Sequence, residues 1–311
     1  MLKEKLKAAP FLKWAGGKRQ LLEQFEDKYP VKLKENNIKT YIEPFVGGGA
    51  LFFDLTQKYN FNNIILNDIN KELIITYKVV KNEVETLISG LKKLEKKYLP
   101  LDLENRKEIY YGIRDKFNKE KKEINYDLID NKTIEHAKHF IFLNRTCFNG
   151  LFRQNKKGEF NVPIGRYKNP TICDEEKLRG ASELLDEAIL ISGDFTNTEK
   201  YITNNTFIYM DPPYRPLPGT SSFNKYSKAD FNEESQKRLA KWYKTLNEKY
   251  KSTKNIYLML SNSNPKNTDP EDSFFEDLYG EFNIEEVYAK RSINSKGSGR
   301  GKITELVITN Y

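Results

Sequence analysis

Cysteine, histidine, tryptophan and methionine are all scarce in this chain of 311 residues, which holds two, two, two and three of them. The two cysteines, Cys147 and Cys173, are too few for a disulfide framework, and both are expected to be reduced. The two histidines, His136 and His139, stand three apart with no cysteine or third ligand candidate beside them, so a zinc site is not expected. Long apolar runs are also missing. Stretches such as IYLML at Ile256–Leu260 fall far short of the ~20 residues that a membrane-spanning helix needs. The basic, polar start MLKEKLK leads into no signal-peptide apolar region, and no internal repeat is visible. These absences lead us to expect a soluble, cytoplasmic protein.

What the chain does have is enough apolar material for a substantial core, at 38% hydrophobic and 13% aromatic residues. The length suits one large domain carrying a sizeable insertion. The net charge of +8 is small beside its local concentration. Residues 1–19 carry +5, residues 141–170 carry +5, and residues 290–302 hold five basic residues and no acid, which leaves the remainder of the chain acidic by 7. If folding gathers these stretches, they form a positive surface suited to nucleic acid; otherwise they are lysine-rich loops in solvent.

Strand-like and helix-like segments alternate, the pattern of an α/β domain with a mainly parallel sheet. Strands are predicted at Thr40–Phe45, Asn63–Leu66, Ile189–Ser192, Thr206–Met210 and Ile256–Ser261. Between the second and third lies a stretch of charged amphipathic helices, Lys71–Lys97, Glu104–Lys119 and Thr133–Leu143. It ends in Asn144–Asp174, rich in Asn, Gly, Pro and basic residues, which argues for ordered loops or a short hairpin. We divide the chain accordingly into a core of residues 1–70 and 188–311 and an inserted domain of residues 71–187. Near the end, Asn283–Ala289 and Ile303–Thr309 read as an antiparallel pair closing the sheet, joined by the linker SINSKGSGRGK. Helix Glu233–Tyr250 is expected to pack Trp242 on the sheet, and Leu51–Phe53 to form the buried face of a helix.

Two motifs carry chemistry. The first, EPFVGGGA at Glu43–Ala50, follows a predicted strand, and its glycines let a ligand approach the main chain. It is not a dinucleotide fingerprint, because the third glycine of that pattern would fall at Phe52; WAGGKR is not a phosphate loop, because Arg19 follows Lys18. Yet the second strand runs into Asn67-Asp68, where such folds hold a ribose by its hydroxyls. A nucleoside-like ligand without phosphates satisfies both facts. The second motif is Asp211-Pro212-Pro213-Tyr214, directly after the strand TFIYM and so beyond a strand's carboxyl end, where ligands bind in open α/β sheets. Two prolines fix φ and remove N–H donors, leaving rigid carbonyl acceptors beside a carboxylate and an aromatic face. That set suits an exocyclic amine whose ring stacks on tyrosine. An acidic turn that merely ends a strand is the alternative.

With these residues the chain resembles the Dam-type, D12-class DNA adenine-N6 methyltransferases. The resemblance is carried by FLKWAGGK at Phe11–Lys18, EPFVGGGALF at Glu43–Phe52, NDIN at Asn67–Asn70 and RTCFNGLFRQNKKGEFNVPIGRYKNP at Arg145–Pro170. It continues in SGDF at Ser192–Phe195, DPPYRPL at Asp211–Leu217, LSNS at Leu260–Ser263 and RGKITELVITNY at Arg300–Tyr311, spanning nearly the whole chain in the family's order. It implies a Rossmann-like α/β methyltransferase core with a mainly helical target-recognition insertion. It also implies S-adenosylmethionine as cofactor, held by Trp14, Ala15, Gly16, Lys18, Glu43, Phe45, Gly47, Gly49, Asp68, Asp194 and Phe195, with Asp211 between cofactor and target. The target adenine would flip out, stack on Tyr214 and hydrogen-bond through N6 to Asp211 and the Pro212 carbonyl, with no metal required.

For the DNA-facing residues the resemblance points to Lys13, Arg145, Phe148, Asn149, Leu151, Arg153, Pro163 and Arg166. Phe148 beside Asn149 would wedge into the vacated stack, and Arg153 offers the fork that matches guanine O6 and N7. Leu151 and Pro163 can touch a thymine methyl, and Lys13 a guanine. Family members with a segment like this one read GATC, so double-stranded DNA containing GATC is the expected substrate. The enzyme is expected to be a monomer, acting alone or beside a companion restriction endonuclease. Methylation of N4-cytosine or of RNA, and a catalytically silent DNA binder, are the competing readings.

Overall fold

The computed structural model describes residues 8–215, 231–290 and 302–311. Seven strands form one sheet: β1 (Thr40–Glu43), β2 (Asn63–Asp68), β3 (Ala188–Ser192), β4 (Thr206–Met210), β5 (Tyr257–Ser263), β6 (Asn283–Lys290) and β7 (Lys302–Thr309). Their order is β3-β2-β1-β4-β5-β7-β6, parallel throughout except for β7, which is antiparallel to both its neighbours. The expected mixed α/β sheet closed by an antiparallel pair is present. Its linker falls almost wholly in residues 291–301, outside the described residues, as do Pro216 and Leu217.

The central strands are short apolar runs because both faces of the sheet are covered. Alternation along them sorts side chains into two cores. Tyr41, Leu66, Phe207, Tyr209 and Met259 pack on one face, and Ile42, Ile65, Ile208, Met210, Leu258 and Leu260 on the other. Against the first face lie α1 (Leu22–Lys28), which buries Phe25, and α3 (Ala50–Lys58), which buries Leu51, Phe52 and Phe53; the short α2 (Val31–Lys34) adds Leu33.

Five helices separate β2 from β3: α4 (Lys71–Asn82), α5 (Val84–Tyr98), α6 (Leu103–Glu120), α7 (Asn131–Thr146) and α8 (Glu175–Leu185). Their N-termini are fixed by side chains that accept backbone N–H groups, among them Asn70, Asp102, Asp130 and Asp174. Where one helix was predicted over Lys71–Lys97, the chain breaks at Glu83 (φ −133°, ψ 33°), although no Gly or Pro stands there. Both helices pack on α7 and α8, but α4 also lies along β2 and β3, which α5 leaves.

The second face is covered by α9 (Glu233–Lys254) and α10 (Phe274–Tyr279). Trp242 of α9 lies 5.2 Å from the Phe195 ring, and its Nε1 donates to Glu199 at 3.3 Å. No helix among the described residues is long and apolar enough to cross a membrane.

Candidate active site

Connectivity reverses between β1 and β4, which are neighbours in the sheet, so the carboxyl ends of those strands bound a crevice. Glu43 closes β1, Asp68 closes β2, Gly193-Asp194-Phe195 follows β3, and Asp211 follows β4. Four segments far apart in sequence thus deliver polar groups to one rim.

The loop after β1 is tied down by β2. Val46 N donates to Asn67 O at 2.8 Å and Gly47 N to an Asp68 carboxylate oxygen at 3.0 Å. The Asn67 amide donates to Pro44 O at 2.8 Å and Gly193 O at 3.1 Å, joining the ends of β1, β2 and β3. Gly47 is required twice over: its φ is +48°, and a Cβ there would lie 2.8 Å from the Trp14 indole nitrogen. Trp14 therefore lies on the glycine loop, and its ring also stacks on Phe152 at 5.8 Å.

Buried carboxyls dominate the electrostatics. Burial pushes Asp68 up to about 6, although backbone N–H groups of Asn70, Gly47 and Ile69 pull it down. Burial also pushes Glu43 up to about 8 against the hydroxyl of Tyr41, which donates to Oε1. Glu43 Oε2 and Asn67 Oδ1 are buried without a partner. Asp194 instead accepts both arms of the Arg238 guanidinium, at 2.8 and 2.5 Å, and the Thr196 amide at 3.1 Å. Burial alone would raise its pKa, but these partners hold it below the usual range. Phe195 lies 5.4 Å from Phe45, with Arg238 4.5 Å over its face.

At the end of β4 the Asp211 carboxylate meets Lys18. Lys18 is only 3% exposed, and its Nζ donates to Asp211 Oδ1 at 2.6 Å, Tyr214 OH at 3.0 Å and Gly16 O at 3.2 Å. Burial would lower the pKa of this lysine, but Asp211, Tyr214 and Glu305 together hold it well above the ordinary value. Burial, helped by the charge of Glu305, raises Asp211 despite the ammonium beside it. Ser261 Oγ donates to Asp211 Oδ1 at 3.3 Å. Pro213 O accepts from Gln236 at 2.8 Å, and Gln236 in turn accepts from Asn262. Arg215 is paired with Glu233 and Asp272 at 2.6 Å each, which fixes the exit of the Asp-Pro-Pro-Tyr turn.

The segment after α7 has no regular strand. It folds on two isolated bridges, Cys147 with Ile164 and Gln154 with Phe160. Helix side chains supply most of its remaining ties. Tyr110 OH donates to Val162 O at 2.8 Å, Asn118 exchanges two hydrogen bonds with Phe160, and Lys121 donates to Gly158 O at 2.6 Å. Asn144 exchanges two hydrogen bonds with the Lys13 main chain, at 2.7 and 2.8 Å, and donates to Gly150 O at 3.2 Å. Phe148 is half exposed, and Asn149 (φ 55°), Pro163 and Arg166 are exposed with it. Leu151 is partly buried against the core. Arg153 Nε donates to Asn161 Oδ1 at 2.9 Å. Lys13 Nζ lies 4.2 Å over the Tyr167 ring. Arg145 is less surface-like than its neighbours, for its Nε is buried without an acceptor.

Sequence reasoning missed several residues of this rim. Gln236, Arg238 and Glu305 act across the fold and leave no local signal. Ile69, 56% exposed directly after Asp68, could have been noticed as an apolar side chain between two polar turn residues. His139 pairs with Glu120 at 2.9 Å and His136 stacks on Phe117 at 4.3 Å. Among the described residues no cluster of His, Cys, Asp or Glu is placed to hold a metal.

A crevice at the topological switch, a glycine loop tied to an acidic strand end, and a rigid Asp-Pro-Pro-Tyr turn accord with a methyltransferase fold. The family model described as D12 class N6 adenine-specific DNA methyltransferase matches residues 14–293, and the chain belongs to that family. The type II methyltransferase M.MjaIII of Methanocaldococcus jannaschii is 52% identical over 98% of this chain and all of its own length. M1.LlaDCHI of Lactococcus lactis, also a type II methyltransferase, is 39% identical over 99% of this chain and 98% of its own. The DNA adenine methylase of Escherichia coli is 32% identical over 96% of this chain and 93% of its own.

Proposed function

We propose that this enzyme transfers the methyl group of S-adenosylmethionine to N6 of adenine in double-stranded DNA, within GATC. The observation that carries the reading is the Asp211–Tyr214 turn, held rigid at the end of β4 beside the crevice that Glu43, Asp68 and the glycine loop line.

The residues present suit the cofactor. Glu43 Oε2 and Asn67 Oδ1 are buried without hydrogen-bond partners, beside a glycine loop on which the Trp14 side chain is packed. We assign Asp68 to the ribose hydroxyls, Phe45, Ile69, Asp194 and Phe195 to the adenine, and Trp14, Ala15, Gly16, Lys18, Glu43, Gly47 and Gly49 to the remainder. When bound, S-adenosylmethionine supplies an electrophilic methyl on a sulfonium. Asp211 and the Pro212 carbonyl accept hydrogen bonds from the target N6 amino group, favouring tetrahedral character there and freeing its lone pair; Pro213 keeps the turn rigid. Tyr214 stacks on the flipped base.

Residues 71–187 hold the recognition unit in this reading. The exposed Phe148, Asn149, Pro163 and Arg166 meet the duplex with Lys13, Leu151 and Arg153, and Arg145 serves from beneath them. We also propose service as a monomer and as the modification half of a restriction–modification pair; the type II designation of two relatives is in keeping with the second.

Labelled methyl transfer to paired duplexes, one with GATC and one with that site scrambled, followed by digestion to nucleosides, tests all of this. N6-methyladenine only in the GATC duplex is the expected result. Label in both duplexes overturns the recognition assignment, label on cytosine overturns the base, and label in neither overturns the activity.

A further inference from the structure

Lys18 presents a problem of occupancy. Its ammonium donates to Asp211 and Tyr214, the acceptor and the aromatic face that the target base needs. An ammonium has three N–H groups, and Gly16 O takes the third. Beside them, Glu305 Oε2 lies 3.4 Å from Lys18 Nζ, buried and without any hydrogen-bond partner. Leaving a buried carboxylate oxygen unpartnered is costly, so a reason for it is needed.

We propose that Glu305 is a positioning residue: the second counterion of Lys18, which takes the ammonium as the target adenine engages Asp211. This rests on the reading of the protein as an adenine methyltransferase. Glu305 is delivered by topology. β7 inserts between β5 and β6, pairing Glu305 with Ser263 on one side and Val287 on the other, and that register brings its carboxyl to the crevice. A 2.6 Å contact to one carboxylate and a 3.4 Å contact to another require only a small shift of a flexible side chain to exchange them. Lys18 thereby stays paired and buried while Asp211 becomes free to accept the N6 amino group.

The charge is also right for the chemistry. Two carboxylates and one ammonium leave one negative charge in excess. During transfer the N6 lone pair forms the bond to carbon, the old bonding pair returns to sulfur, and positive charge passes to N6 until one N6 proton leaves to water. A fixed negative excess stabilises that charge as it develops. Without Glu305, Lys18 and Asp211 only neutralise each other.

The test is Glu305→Gln in the full chain, assayed on the GATC duplex. We expect kcat to fall by roughly 10- to 100-fold, with KM for DNA within about twofold. The acid limb of the kcat profile should move to lower pH, because the charge of Glu305 raises Asp211. Glu305→Asp should recover part of the rate. In a Lys18→Met background, Glu305→Gln should cost much less than it does alone. An unchanged kcat, an unmoved acid limb or an equal loss with Lys18 absent overturns the inference. Should Glu305→Gln fail to fold, the Glu305→Asp pair, with and without Lys18→Met, separates the same outcomes. Wild-type protein that methylates no adenine would instead defeat the functional reading itself, before any variant is made.

Discussion

The two ends of this molecule are held in place by different means. Around Asp211 the polar groups are set by strand ends, so their positions follow from the sheet's own backbone pairing. Around Phe148 to Pro163 there is no sheet to follow, and the chain is held by side chains of α6 and α7 reaching its backbone from Tyr110, Asn118 and Asn144. In the proposed reading, chemistry sits on the part that is costly to deform, and recognition on the part that a few substitutions can reshape.

That contrast can be broken most sharply at Asp211. Asp211→Ala should reduce methyl transfer by about 10³-fold or more while the duplex still binds within a fewfold of wild type, measured by single turnover and by fluorescence anisotropy. Retained turnover would contradict the assignment. At the other end, Asn144→Ala strands three backbone groups and should cost about 2–3 kcal/mol in urea unfolding, with weaker preference for GATC. Unchanged stability would mean that the segment is held by something else. Arg153→Ala should lose ~1–3 kcal/mol of discrimination at one guanine with the rate on the remaining substrate preserved. An equal loss on every sequence would make Arg153 a phosphate contact.

The smallest effect concerns pH. In the folded chain the Glu43 carboxyl is raised from 4.5 to about 8. Between those values the folded state holds a proton that the unfolded state has lost, so its contribution to stability falls as pH rises. Glu43→Gln removes that slope, and its melting temperature should gain on wild type between pH 5 and pH 8, read by differential scanning calorimetry.

Much of the strand-end rim was legible in the sequence because its determinants are local. A buried parallel strand is an apolar run, and Asp68 and Asp211 stand at the ends of such runs. Glycines at Gly47 and Gly49 announce positive φ. What stayed hidden depends on contacts between distant segments. Glu83, where α4 gives way to α5, carries no breaker signal. Glu305 looks like an outward-facing strand residue until β7 is seen between β5 and β6. The inward turn of Arg145 was hidden for the same reason, being decided by the chain packed around it.

The stretch from Lys13 to Lys18 touches everything that matters. Its first residue is clasped by Asn144, its second lies on the glycine loop, and its last holds Asp211. The five steps along these six residues span at most about 17 Å, so little slack separates the first clasp from the last. If the roles proposed for the two ends hold, the segment is placed to act as a mechanical linkage, in which a misfit at the DNA-reading segment reaches Asp211. A wrong sequence should thus be refused in the speed of the reaction as well as in the strength of binding.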